Sequence, residues 1–453
     1  MVVEPSVTCA VFGLGKLGSS FAAVLGASGL PVVGVDLDAR VVDAINRGEA
    51  PFQEPGLQDA ITRAGDRLRA TTNAAEAVHA ADVSFVIVPT PSDESGRFVN
   101  AYVARALDGI GQALATTDRY HVVSITSTVM PGAMDAELAP TLTGASGRAM
   151  GANLGFCYNP TFIALGSVIE NLTRPDLVLI GESDARAGDL VEGVHRRIFE
   201  TDPAVRHMNW ANAEIAKIAI NTFVTTKISF ANMLGELCER TPGADVAAVT
   251  EAVGDDHRIG HAYLRGATAY GGPCFPRDNV ALARAASDVG VEATLAEATD
   301  RVNRRQADRL AHIVERDCPP GGTVAILGLA YKPQTNVLDE SPALALAARL
   351  IAGGHRVLGF DPMVAVDAVP ELPTFEIASR IEDCLGSADA IVVTTPAPEF
   401  ATLPELARRA GRNPIVIDCW RLFPEATPGV RVMHPGRGTD PKDQPSPAVS
   451  TRS

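Results

Sequence analysis

The sequence predicts an α/β fold: two doubly wound domains joined by a long central helix and a small helical domain. Three observations predict it. Near the N-terminus an apolar run, a glycine turn, a helical stretch and a second apolar run follow one another. The same succession returns in weaker form after residue 320. Between them, residues 210–240 carry apolar side chains at helical period with no Gly or Pro before Gly235. A length of 453 residues suits two to three domains.

The first element is "VTCAVFGLGKLGSSFAAVLGASGLPVVGVDLD". Gly13, Gly15 and Gly18 form G-x-G-x-x-G directly after the apolar run Val7 to Phe12. The first glycine allows a tight turn, the second lets backbone approach a pyrophosphate, and the third lets the helix pack on the strand. The helix N-terminus then offers unpaired N–H groups and the positive end of a dipole. Asp36 closes the next strand, "PVVGVD". A carboxylate there accepts hydrogen bonds from a ribose and repels a 2′-phosphate, so the expected cofactor is NAD rather than NADP. Arg40, four residues on, would soften that repulsion. A lone glycine pattern is weak; its strand, helix and carboxylate make this one Rossmann-like.

The strands "VSFVIVPTP" (83 to 91) and "HVVSITSTVMPG" (121 to 132) continue the sheet and end in polar or proline turns. Ligands of doubly wound sheets lie beyond the carboxyl ends of the strands. Thr90 and Thr128 are therefore expected to face the cofactor, with ordinary turn chemistry as the plain alternative. "LGFCYNP" and "DLVLIG" extend this domain to residue 205.

In the long helix Glu214, Lys217 and Asn221 fall at i, i+3 and i+7, on one face. The loop "GGPCFPRD" (271 to 278) follows, with Cys274 four residues before Asp278. Free cysteines are most often buried structural thiols, which is the plain alternative here. The third segment reads "GGTVAILGLAYKP", then a helix opened by Pro342, then "HRVLGFDP", then "AIVVTT" and "PIVIDC". It is a second Rossmann-like βαβ unit without the full glycine motif. From 436 the chain is polar and Pro/Ser/Gly-rich, the composition of a disordered tail. The expected domains are 1–205 for NAD, 206–300 helical and dimerising, 301–435 for the second ligand, and 436–453 the tail.

Composition bounds the partners. The chain is 46% hydrophobic and 5% aromatic, with a formal net charge of −15. Such acidity argues against nucleic acid but leaves room for an anionic small substrate in a pocket with its own potential. Seven scattered cysteines, an odd number with no CxxC pair and no His cluster at ligand spacing, point to a reducing, cytoplasmic setting and to no metal. The opening "MVVEPSVTCA" has no signal-peptide pattern. The absence of an apolar run of ~20 residues argues against a membrane span.

Together "FGLGKLG", "EPGL" (54 to 57), "VPTP" (88 to 91), "STVMPG" (127 to 132), "AEIAKIAINTF" (213 to 223), "DDHRIG" (255 to 260), "GGPCFPRD" and "LGLAYKP" (327 to 333) carry a resemblance. The chain resembles the UDP-glucose/GDP-mannose dehydrogenases over nearly its whole length except the tail. The resemblance implies four-electron oxidation of a nucleotide sugar's primary alcohol to a carboxylate, with NAD as oxidant. It implies Cys274 as the nucleophile that captures the aldehyde and becomes a thioester. Lys217 and Asn221 would stabilise the oxyanion, and Asp278 and Thr128 would handle water. Leu17 and Arg277 would join the cofactor site. Phe162, Tyr263, Gly271 and Lys332 would join Lys217 and Asn221 at the substrate, and Arg258 would reach it across a homodimer.

Several positions depart from the family pattern. The family's N-P-E-F-L-x-E-G reads "NPTFIALG", so Thr161 and Leu165 replace glutamates. Asp339 stands where an arginine is usual, and Arg277 where a lysine is usual. UDP-glucose or dTDP-glucose is the expected substrate. The alternatives are GDP-mannose or, in another class, a regulatory NAD-binding protein with a decayed site.

Overall fold

The computed structural model describes residues 7–369, 375–409, 411 and 413–438. Its first sheet has eight strands: β1 (Cys9–Phe12), β2 (Val32–Val35), β3 (Leu68–Thr71), β4 (Val83–Val86), β5 (His121–Ile125), β6 (Leu154–Tyr158), β7 (Leu177–Glu182) and β8 (Ala204–Met208). Their order is β3-β2-β1-β4-β5-β6-β7-β8. All pairings are parallel except β6 with β7. Strands β1, β2 and β4 are buried at every residue. That is why they read as short continuous apolar runs rather than as alternations. One cluster, including Phe21, Leu25 and Phe85, fills one face, and another, including Phe156, Tyr158 and Leu107, fills the other.

Helices join the strands, and their starts are locally encoded. Asp38, Asn73 and Asp184 each accept main-chain N–H bonds at a helix N-cap. The helix Lys16–Ala27 differs: Gly15 is its N-cap and no side chain caps it. Strand order reverses at β1 and β4, which lie side by side, so a crevice opens beyond their carboxyl ends.

The second sheet has six parallel strands: β9 (Thr323–Leu327), β10 (Arg356–Phe360), β11 (Phe375–Ile377), β12 (Ala390–Val393), β13 (Ile415–Asp418) and β14 (Arg431–Met433). Their order, β11-β10-β9-β12-β13-β14, repeats the reversal of the first sheet. The internal repeat extends to the atoms. Asp36 at the end of β2 accepts the Leu14 N–H at 2.7 Å. Asp361 at the end of β10 accepts those of Leu329 and Ala330 at 2.7 and 2.9 Å.

The long helix spans Trp210–Glu239. The chain divides into two compact units, Met1–Ala219 and Ile220–Ser453, and the dividing line falls within this helix. In the second unit the helices Val246–Gly254, Phe275–Asp288, Thr294–Arg304 and Gln306–Asp317 precede the sheet. They are tied to it by Arg421 on Asp245 at 2.5 Å and by the Val246 N–H on Gly436 O at 2.9 Å. Residues 436–438, expected to begin a tail, are thus bonded into the fold, and Gly438 donates to Ala244 O. The rest of that expected tail lies outside the described residues. Strand β8 crosses the domain boundary expected at 205. It was not foreseen because its pattern, AVRHM, is exposed or half-exposed throughout. Among the described residues no helix is long and apolar enough to cross a membrane.

On β8, His207 bridges Glu182 and Glu192 at 2.6 and 2.7 Å. Burial works against its charge, but the two carboxylates outweigh it and hold its pKa above the ordinary 6.5. A raised folded pKa means stability that is fully present below the ordinary value and lost as pH rises through the higher one. The melting-temperature advantage over His207→Gln is expected to be largest near pH 6 and to shrink toward pH 9, about where neutral imidazole dominates. An advantage that stays flat across that range would rule out the ion-pair account.

Candidate active site

In the first unit a cavity of about 540 Å³ lies over the crevice beyond β1 and β4. Gly13, Gly15, Leu17 and Gly18 line it, with Asp36, Val88 and Pro89. Gly13 has φ +90, and a Cβ there would lie 2.3 Å from Ile87 O. A Cβ on Gly18 would lie 1.8 Å from Gly13 O. Around Gly15 a Cβ would meet nothing within 4 Å, which is the open cradle that a pyrophosphate needs. The uncapped N-terminus of helix Lys16–Ala27 points its N–H groups into the same region. The glycine loop, the dipole and the carboxylate fit a dinucleotide.

Asp36 does more than line the cavity. Its oxygens accept from Leu14 N and Asp38 N, so it also fixes the glycine turn. Arg40 is held instead by Asp38 at 2.7 Å, with 91% of its side chain exposed, and is not among the cavity-lining residues. Tyr102 and Arg105, on the helix Ala101–Leu114, do line it. Sequence reading missed them because nothing in "AYVARAL" distinguishes a ligand face from a solvated one.

Buried side chains set the loops after the strands. Thr90 donates to Thr128 O at 2.7 Å, tying the ends of two strands together. Glu214, fully buried, accepts the Gly132 and Met134 N–H groups at 2.7 and 2.8 Å and so shapes the "STVMPG" turn. Burial pushes its carboxyl upward against those two donors. Lys217 is buried, and its Nζ donates to Thr161 O at 2.8 Å and lies 4.6 Å from the Phe162 ring centre. Glu54 accepts Gly166 N and Val168 N at 3.1 and 3.0 Å across 112 and 114 residues. Its motif, "EPGL", was visible, but its partner was not.

In the second unit Cys274 is exposed while the other six cysteines are buried. The expected loop ends at Cys274, and residues 275–278 are helical rather than loop. Cys274 is the N-cap of helix Phe275–Asp288, with Pro276 in the first turn. Its carbonyl accepts the Asp278 N–H at 2.9 Å, so the two residues stand one helical turn apart. Asp278 is buried and accepts from Asn221 Nδ2 at 2.6 Å. Arg277, next to it, is half-buried.

Gly271 and Gly272 are packed so closely that a Cβ would lie 2.2 Å from Glu340 O and 2.4 Å from the Tyr331 ring. Tyr263 is more than half exposed, has φ 61, and sets its ring edge-on to Phe275 at 6.3 Å. A bulky residue in that backbone region is strained. Arg258 pairs with Asp256 at 2.5 Å, largely exposed. Lys332 lies 5.9 Å from the Tyr331 ring centre, half-buried at the end of the β9 turn.

Three family models match the chain in succession. Residues 7–199 match the NAD binding domain of the UDP-glucose/GDP-mannose dehydrogenase family, 211–305 its central domain and 325–425 its UDP binding domain. A UDP-glucose 6-dehydrogenase of Haloferax volcanii is 36% identical over 416 residues, 91% of this chain and 96% of the relative. A GDP-mannose 6-dehydrogenase of Pseudomonas putida is 33% identical over 420 residues, 89% and 94% of the two chains. The solved UDP-glucose dehydrogenase of Pyrobaculum islandicum superposes with a TM-score of 0.86 at 31% identity, covering 97% of this chain and all of that one.

Gly18→Ala puts a methyl group into main chain, which has no rotamer with which to yield. NADH affinity, read by fluorescence titration, is expected to fall about tenfold or more, some 1.4 kcal/mol. Unchanged affinity would show that the turn reshapes and that the third glycine is dispensable.

Proposed function

Because the chain belongs to the UDP-glucose/GDP-mannose dehydrogenase family, we propose that it oxidises the C6 hydroxymethyl of UDP-glucose or dTDP-glucose to the uronate, with Cys274 as covalent catalyst. The broader activity is that of the family and its relatives: an NAD-dependent nucleotide-sugar 6-dehydrogenase. One observation carries the covalent reading. Of seven cysteines only Cys274 is exposed, at the head of a helix with a buried carboxylate one turn on.

The roles follow from the residues. A helix N-terminus stabilises negative charge, so sulfur at the N-cap is favoured as thiolate. The thiolate adds to the aldehyde carbon left by the first oxidation, forming a C–S bond and an oxyanion. Lys217 and Asn221, one turn apart on the long helix, are assigned to donate to that oxygen. Bound NAD supplies the oxidising power for both two-electron steps. The second oxidation turns the adduct into a thioester. Water then breaks the C–S bond, giving the carboxylate and returning the thiol. With Thr161 and Leu165 in place of glutamates, Asp278 is left to take the water's proton. Asp36 and the cavity beside it receive NAD, and Lys332 receives the nucleotide diphosphate.

UDP-glucose is supported by the Haloferax and Pyrobaculum relatives. GDP-mannose is the second reading, supported by the Pseudomonas relative. We further assign a homodimer. Phe223, Phe230, Met233 and Leu237 are 43–67% exposed and recur at i, i+7, i+10 and i+14 on the long helix. That is the heptad spacing of a helix-pairing seam, and its occupant is a second copy of this chain, with Arg258 assigned to the partner's substrate.

Three measurements test these assignments. Assayed with UDP-, dTDP- and GDP-hexoses, the enzyme is expected to release two NADH per sugar. One NADH with free aldehyde would sink the four-electron assignment. Asp278→Asn is expected to show an NADH burst, then turnover slower by about 10²–10⁴, with an acyl adduct on Cys274 by mass spectrometry. No burst and no adduct would place Asp278 in the redox steps. Phe230→Lys is expected to yield monomers by sedimentation, and an intact dimer would move the interface elsewhere.

A further inference from the structure

The segment that leads to Cys274 is irregular and buried. Ala267, Thr268 and Tyr270 are 5–6% exposed, and Gly271 and Gly272 are buried too. A buried backbone outside helix and sheet still needs partners for its N–H and C=O groups. Two asparagines from distant helices supply them. Asn232, fully buried on the long helix, accepts Ala267 N–H at 3.0 Å and donates to Thr268 O at 2.9 Å. Asn303, on helix Thr294–Arg304, accepts Tyr270 N–H at 2.8 Å and donates to Tyr270 O at 2.9 Å. Each carboxamide thus pairs with main chain as a neighbouring strand would.

The clamp is closed on further sides. Gly272 N donates to Asp339 O at 2.9 Å. A Cβ on Gly266 would lie 2.8 Å from Ala231 O. Beyond the thiol, Asn279 donates to Thr225 Oγ1 at 2.8 Å, to Phe275 O at 2.9 Å and to Tyr270 Oη at 3.3 Å. The main chain is therefore pinned on both sides of Cys274, while the thiol itself is exposed.

We propose that Asn232 and Asn303 are positioning residues for the Cys274 thiol: they hold the 267–272 backbone so that the sulfur stays at the helix head in the orientation its chemistry requires. The proposal rests on the reading of Cys274 as nucleophile. It asks more of the asparagines than stability. A carboxamide presents an acceptor oxygen beside N–H donors at the spacing of a peptide group. Deleting it frees the segment to move, and a misplacement of about 1 Å costs on the order of 10²-fold in rate.

The test uses the full-length enzyme and two readouts. Because the other six cysteines are buried, iodoacetamide alkylation of the native protein reports Cys274 alone. In Asn232→Ala and Asn303→Ala the pH profile of alkylation is expected to shift, and kcat to fall about 10- to 100-fold. KM for NAD and for the nucleotide sugar should stay within about threefold. If Asn303→Ala does not fold, Asn303→Asp, similar in size and keeping the acceptor but not the donor, carries the same expectation. Alkylation profiles and kcat that match wild type in folded variants would overturn the proposal and leave the asparagines structural. Cys274→Ser judges the other premise separately. Normal turnover there would remove the nucleophile reading, while the alkylation profiles would still say whether the clamp orients the thiol.

Discussion

A buried backbone amide must find a partner, and in this protein the residues proposed to do chemistry sit on or beside irregular segments that are wholly or partly buried. Sheet and helix pair their own amides. The turn 127–134, the stretch 161–168 and the stretch 266–273 do not. Side chains take over: Glu214 for Gly132 and Met134, Glu54 for Gly166 and Val168, and Asn232 and Asn303 for 267–270. Each is a polar group in a place where burial alone would be destabilising, and each is satisfied. The long helix contributes several of them, which accounts for its unusual sequence. Glu214, Lys217, Asn221, Thr225, Ser229 and Asn232 are all buried on a helix whose exposed residues include Phe223 and Phe230. Polar side chains are buried along it because they serve the loops packed against it, while several of its large apolar side chains are exposed.

The same constraint explains what the sequence could reveal. The glycine motif, Asp36 and the strands around them were legible because their logic is local: strand, turn and helix lie within thirty residues. The long helix was legible within one residue at its C-terminal end because its apolar residues keep a helical period and no Pro interrupts it. Cys274 was marked out by its loop, but that the loop ends there and a helix begins at the next residue was hidden. Proline in "CFPRD" reads as stiffness when it is in fact the first turn of a helix, where its missing N–H is harmless. Asn303 and Asn232 were invisible. Their partners lie 33 to 36 residues away, and no local pattern separates an asparagine that clamps a backbone from one that meets water. Strand β8 was missed for the opposite reason: its residues are too exposed to leave an apolar trace.

The departures from the family pattern gain a physical reading in this light. At Thr161 the contact made is through the main chain, whose carbonyl accepts from Lys217, so loss of a carboxylate there leaves that bond intact. Leu165 packs against the apolar cluster beside β1, and Glu54 supplies the negative charge to the amides that follow. At Asp339 the bond to Gly272 is again made by the main-chain carbonyl, while the side chain is exposed. At 161 and 339, then, these are positions where the fold uses backbone and the side chain is available to change. The positions where the fold uses the side chain itself, Glu214, Asn221, Asn232, Asp278 and Asn303, carry groups that no other residue type reproduces in shape and bonding. In the second unit the segment that carries Cys274 is held by side chains of this second kind, Asn232 and Asn303, with Asn221 on Asp278. A site that had lost its purpose would have no need of so many satisfied buried polar groups around one exposed cysteine. The satisfied polar groups that hold the Cys274 segment thus fit a working member of the dehydrogenase family rather than a decayed one.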